Sequence, residues 1–143
     1  MRVVFFVFFL SLCFSLGADT LSKETVKIEI GGHIYTFEVA DSREERLKGL
    51  MFRKELAGTS GMLFVFEKAD YLKFCMDNTF IPLDIAFLSP YLEILEIQTM
   101  EPMSNKVTIS SVKALYALEV KQGFFKETGL DIGDTVKIVG EKN

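Results

Sequence analysis

The chain has 143 residues, 49% of them of hydrophobic type, and a formal net charge of −4. A length of this order is one domain's worth, and the apolar share supplies a real core, which excludes intrinsic disorder. The acidic balance and the lack of any run of like charges exclude a nucleic-acid footprint, which needs a basic patch or stripe, and a tail for a charged partner.

The first eighteen residues read "MRVVFFVFFLSLCFSLGA". Arg2 is followed by an apolar run from Val3 to Leu16, broken only by Ser11 and Ser15, and then by Gly17 and Ala18. A positive start, an apolar middle and small residues form a secretory signal, so residues 1–18 are expected to leave and the mature chain to begin near Ala18. The expected location is extracytoplasmic, periplasmic or secreted. Two alternatives stay open. One is an uncleaved anchor through residues 3–16, a run shorter than the ~20 residues that span a bilayer. The other is a lipid on Cys13, for which Leu12 is a poor preceding residue because that position should be small.

From Thr25 the pattern is β. "VKIEI" puts Val26, Ile28 and Ile30 on one face, Gly31-Gly32 suits a tight hairpin, and "HIYTFEV" puts Tyr35, Phe37 and Val39 on one face. In "DSREERLKGL", Ser42 and Glu45 form a capping box, Glu44 and Lys48 are spaced to pair, and Gly49 ends a helix of about two turns. "GMLFVF" is apolar throughout, as a strand buried on both faces is. "YLKFCM", "LDIAFL", "LEILEIQTM", "VTISS" and "ALYALEV" continue the strand series, "GFFKETG" is a short helix closed by Gly129, and "TVKIV" is the last strand. The fold class is mainly β, α+β by strict count. About seven to eight short strands and two short helices over residues 25–140 predict a single-domain β-barrel or sandwich.

Read in order, "ADSREERLKGLMFRKEL", "GMLFVF", "FCMDNTFIPLDIAFL", "ALEVKQGFFKETGL" and "IGDTVKI" resemble the DUF192 family, also called UPF0127, over roughly Val26 to Val139. The carrying elements are G-L-M-x-R, G-M-L-F and M-x-N-T-x-I-P-L-D, in that order. The resemblance implies a protein that is often secreted or membrane-associated and brings no established activity with it. Family members usually carry an aromatic, often tryptophan, where this chain has Cys75.

The polar residues set in apolar surroundings are the site candidates: Arg53, Asn78, Thr79, Asp84 and Glu119. Asn78 and Thr79 suit a tight turn, and Pro82 fixes its own φ and biases Ile81 toward an extended form. Asp84 lies between Leu83 and Ile85, so it either points out of the core or sits buried and accepts bonds from Asn78, Thr79 or backbone amides. Arg53 offers a planar fork to Asp84, Glu119 or a ligand's carboxylate, and a structural ion pair is the expected outcome. Asn78 and Asp84 are expected in one hydrogen-bonded unit at the rim of the site, with Arg53 close by. Glu119 interrupts "ALYALEV" on the side opposite Leu118 and Val120.

Cys75 lacks a base, since His33 is the only histidine, and is expected to be a small buried apolar residue. One His and one Cys make a poor metal site. The scattered Met51, Met62, Met76, Met100 and Met103 read as core fillers rather than a copper site. No cofactor and no metal are expected, and the chain is expected to be a monomer. The expected function is a binding module for a small molecule or envelope component at one end of the barrel. The alternatives are a hydrolase-type enzyme using Asp84 and Glu119, and a structural or interaction protein of the cell envelope.

Overall fold

The computed structural model describes residues 23–140. The apolar segment at 3–16, Cys13 and the expected cleavage near Ala18 lie outside the described residues.

The structure is mostly β. Strands β1 (Thr25–Ile30) and β2 (His33–Ala40) form an antiparallel hairpin through Gly31-Gly32, both at positive φ as this tight turn requires. Helix α1 (Arg43–Lys48) starts where Ser42 and Glu45 close a reciprocal capping box and stops at Gly49. Strands β3 (Gly61–Asp70), β4 (Lys73–Phe74), β5 (Leu83–Leu88), β6 (Ile94–Met100), β7 (Thr108–Ile109) and β8 (Ala114–Lys121) come next along the chain. Helix α2 (Phe124–Thr128) and strand β9 (Lys137–Ile138) end the described chain.

Seven strands make one sheet in the order β6-β5-β8-β3-β2-β1-β9, and β4 and β7 form a separate two-stranded ribbon. The sheet is antiparallel except between β2 and β3, whose crossover carries α1. It curls until its ends meet: the Ile94 amide donates to the Asp134 carbonyl at 2.8 Å, and the Val136 amide donates to the Leu92 carbonyl at 3.0 Å.

Two cores result. The first holds Ile28, Phe37, Leu63, Leu118 and Val120, together with Ile94 and Val136 from opposite ends of the sheet, so it fills the face that the curl encloses. The second lies on the other face of β3, β5 and β8, where Met62, Phe64, Leu83, Ile85 and Ala117 pack under Leu50, Leu72, Phe74, Met76 and Ile81. Strand β5 is buried at all six positions because both of its faces are covered, as its near-continuous apolar run requires.

Candidate functional site

Alternation along β8 decides where Glu119 goes. Leu118 and Val120 belong to the enclosed core, so Glu119 must face the second one. Its cross-strand partners there are Met62 of β3 and Ile85 of β5, neither of which can donate a hydrogen bond. Gly61 makes this approach close: a Cβ on it would lie 1.9 Å from the Glu119 carbonyl oxygen. Glu119 is 4% exposed. Its carboxyl has neither hydrogen bond nor ion pair with any described residue, and burial pushes its pKa up to about 8. At neutral pH it is therefore a carboxylic acid, with one O–H to donate and a carbonyl oxygen to accept.

The carboxyl faces a cavity of about 230 Å³. Leu50, Phe64, Phe66 and Phe74 supply its apolar wall, with Phe74 edge-on to both Phe64 and Phe66 at centroid distances of 5.0 and 6.3 Å. Thr79 joins Glu119 as the other polar group in the wall that is buried. Helix α1 borders the cavity while burying none of its own residues. Arg46 ties it down. The Arg46 guanidinium donates to the Asp41 carbonyl and, at 2.9 Å, to the Val65 carbonyl, pairs with Glu67 at 3.0 Å, and lies 5.0 Å from the Phe66 ring centroid. Arg43 and Lys48 from α1 and Lys73 from β4 complete the basic surroundings.

The other candidates do not converge on this cavity. Arg53 forms a bidentate pair with Glu38, at 2.5 and 2.8 Å, instead of reaching Asp84 or Glu119. Glu38 also takes Lys23 at 2.8 Å. Asp84 accepts from the Thr99 hydroxyl and from the Gly123 amide, each at 2.8 Å. It is buried with backbone and hydroxyl donors, but they are not those of Asn78 or Thr79. Asn78 is exposed at φ 50° and gives its carbonyl to the Phe52 amide at 2.7 Å, so it shapes a turn and is not part of a unit with Asp84. Thr79 donates its hydroxyl to the Asp77 carbonyl at 3.1 Å and reaches the cavity wall.

The alternative that draws on Asp84 and Glu119 together finds them apart in the sheet. Asp84 is in register with Val120, and Ile85 with Glu119, so the two carboxyls project from opposite faces. Glu38 was absent from the candidates, although "TFEVA" carried the signal that exposed Glu119: one acid between two core residues of a strand.

A model of one family, DUF192, described as "Uncharacterized ACR", matches residues 26–138. The chain belongs to the DUF192 family. It is also similar to a crystal structure from Sinorhizobium meliloti 1021 described as a "putative transcription regulator": 31% identity, 82% of this chain and 94% of that one covered, TM-score 0.74. A crystal structure of a protein of unknown function from Novosphingobium aromaticivorans DSM 12444 is similar at 32% identity over 79% of this chain and 83% of that one, with a TM-score of 0.69. The comparison with curated proteins finds no match.

In this DUF192 domain Cys75 is exposed and borders the cavity, rather than being buried as its apolar neighbours suggested. Among the described residues no three potential metal-ligating side chains gather, and no helix is long and apolar enough to cross a membrane. Met62, Met76 and Met100 are core residues, Met51 borders the cavity and Met103 is exposed.

Proposed function

We propose that this DUF192 domain is a binding module for a small molecule, and that the cavity over Glu119 is its site. The observation that carries this reading is the Glu119 carboxyl: buried, unpartnered among the described residues, and facing open space. No described side-chain oxygen is fully enclosed without a partner, so the Glu119 carboxyl reaches the open space of the cavity, where a ligand atom can pair with it. Structural acids elsewhere in the fold, Glu38 and Asp84, have their donors supplied by the protein. Small-molecule sites characteristically combine an apolar wall with a few convergent polar groups, and this cavity does so at about 230 Å³, below the usual range of about 300–1,000 Å³, which suits only a small ligand.

Two finer parts of the proposal rest on sequence. The signal-like start supports work outside the cytoplasm, on a small molecule or envelope component. The net charge of −4 argues against carrying over the "transcription regulator" role printed for the Sinorhizobium meliloti 1021 structure, in so far as that role needs a basic nucleic-acid footprint. The test is a two-dimensional NMR titration of the domain with small para-substituted phenols. Shifts centred on Leu50, Phe64, Phe74 and Glu119, abolished in Glu119→Leu, support the site. Shifts confined to other regions, or unchanged in Glu119→Leu, overturn it.

A further inference from the structure

The cavity is divided by charge as well as by depth. Its inner wall holds the Glu119 carboxyl beside Phe64 and Phe74, while Arg43, Arg46, Lys48 and Lys73 border it from α1 and β4. Arg46 already has a carboxylate, Glu67. Arg43, Lys48 and Lys73 have no ion pair among the described residues. Among the described residues Glu119 is the only acidic side chain that borders the cavity. Burial keeps it protonated up to about pH 8, so at neutral pH it adds no negative charge to oppose an anion. A cation entering here meets three positive side chains without a carboxylate partner, besides the paired Arg46, and no ionised acid among the described lining residues. An anion meets three cations whose charge nothing else in the described structure neutralises.

Resting on the binding reading above, we propose that the occupant is a small amphipathic monoanion. Its acidic head is held by Arg43, Lys48 and Lys73. Its apolar body lies against Phe64, Phe66 and Phe74. An oxygen or nitrogen at its far end exchanges a hydrogen bond with Glu119. A small aryl carboxylate bearing a hydroxyl has this layout. Exposed cations are partly screened, so the preference for the anion is a matter of tens-fold rather than thousands-fold, and it weakens as salt rises.

Three probes share one ring and one phenol and carry heads of charge −1, 0 and +1: 4-hydroxybenzoate, 4-hydroxybenzyl alcohol and 4-hydroxybenzylamine. The titration is read on the Leu50, Phe64, Phe74 and Glu119 resonances. The expected order is anion, neutral, cation, with the anion about ten-fold or more ahead of the cation at low salt and its lead shrinking at ~0.5 M salt. The double variant Arg43→Glu and Lys73→Glu, both at exposed positions, should erase or invert that order. Above about pH 8 the anion should lose affinity as Glu119 ionises, and Glu119→Gln should abolish that loss. A Cys75→Ser background keeps the thiol beside the cavity out of the comparison.

Neutral or cationic probes binding as well as the anion on these same resonances would overturn the anion class and leave the binding site standing. An anion preference that survives the charge reversal would overturn the assigned head group. No shift at these resonances with any of the three would overturn the site itself.

Discussion

Glu38 and Glu119 lie in one row across the sheet, with only Met62 between them, because Glu38 pairs in register with Met62 and Met62 with Glu119. Two strand spacings separate them, about 10 Å. They are almost equally buried, at 5% and 4% exposure. Their fates are opposite. Burial pushes Glu38 up, but hydrogen bonds from Arg53 and Lys23 outweigh it and leave its pKa below the usual carboxylate value. Burial pushes Glu119 up with nothing to oppose it. Low solvent exposure alone therefore does not decide whether an acid in this sheet is charged: Glu119 lies deeper than Glu38 and also lacks donors, and both differences keep it protonated. Glu38 completes a structural pair that fastens the segment after α1 to the sheet. Glu119 has a proton and an open face, which is how a site differs from a brace.

The most disruptive way to break this comparison is at Gly61. Its φ of +149° disfavours any side chain, and a Cβ would collide with the Glu119 backbone. Gly61→Ala has to push β3 away from β8 between the two acids, at a cost of about 3–5 kcal/mol from overpacking and backbone strain together. Urea unfolding measures it. A loss below 1 kcal/mol would mean that the strands yield easily here and that Glu119 is not held as tightly as its burial implies.

The next effect is Arg53→Met. It leaves Glu38 buried with only the half-exposed Lys23, at a cost of about 3 kcal/mol at neutral pH. Because the folded pKa of Glu38 is lowered, the stability it contributes is present above its unfolded value near pH 4.3 and is lost as pH falls through the lower folded value. The penalty of Arg53→Met should therefore shrink in acid. A penalty that is the same at pH 3 and pH 7 would assign it to lost packing of the arginine stem.

Glu119 carries the opposite sign. Its folded pKa of about 8 lies above the unfolded value near 4.3, so between these two values the folded state holds a proton that the unfolded state has released. Stability should fall as pH rises through that window, by at most ~1.4 kcal/mol per unit, and level off above it. Glu119→Gln keeps the shape and cannot ionise, so its unfolding free energy should be flatter from pH 5 to pH 8 and exceed the wild type at the upper end. Parallel pH slopes for the two proteins would show that Glu119 finds a partner or water that keeps its pKa near normal.

Much of this row was readable in sequence, and the reasons are particular. The capping box of α1 and the first hairpin depend on residues three to thirteen apart, so local chemistry fixes them. Glu119 was visible as an acid breaking an apolar strand, and alternation alone gave its face. Arg53's partner was not readable. Glu38 and Arg53 meet through the parallel pairing of β2 with β3 and the placement of the α1 crossover, and spacing along the chain reports neither. Whether Asp84 and Glu119 meet was not readable either: the β5–β8 register, offset by one residue, sends them to opposite faces. The cavity was not legible either, since its wall is gathered from α1, β3, β4 and β8.

The smallest expected effect concerns Cys75, and it separates the edge of the site from its wall. Leu72, Phe74 and Met76 are buried while Lys73 and Cys75 are exposed, so this stretch alternates with period two although "FCM" reads as one apolar run. Lys73 marks the outward face, and Cys75 shares it. Cys75→Ala removes exposed surface and no core contact, so it should change the unfolding free energy by less than ~0.5 kcal/mol. Phe74→Ala, one position away, empties part of the second core and should cost about 3–5 kcal/mol. Cys75→Trp places an aromatic ring at this exposed position and should leave stability equally unmoved, while changing the affinity for 4-hydroxybenzoate because the larger ring stands beside the cavity. Thermal unfolding of the three variants and an NMR titration of the tryptophan variant measure both halves. A loss above 1 kcal/mol in Cys75→Ala would return the thiol to the core and erase the distinction between edge and wall.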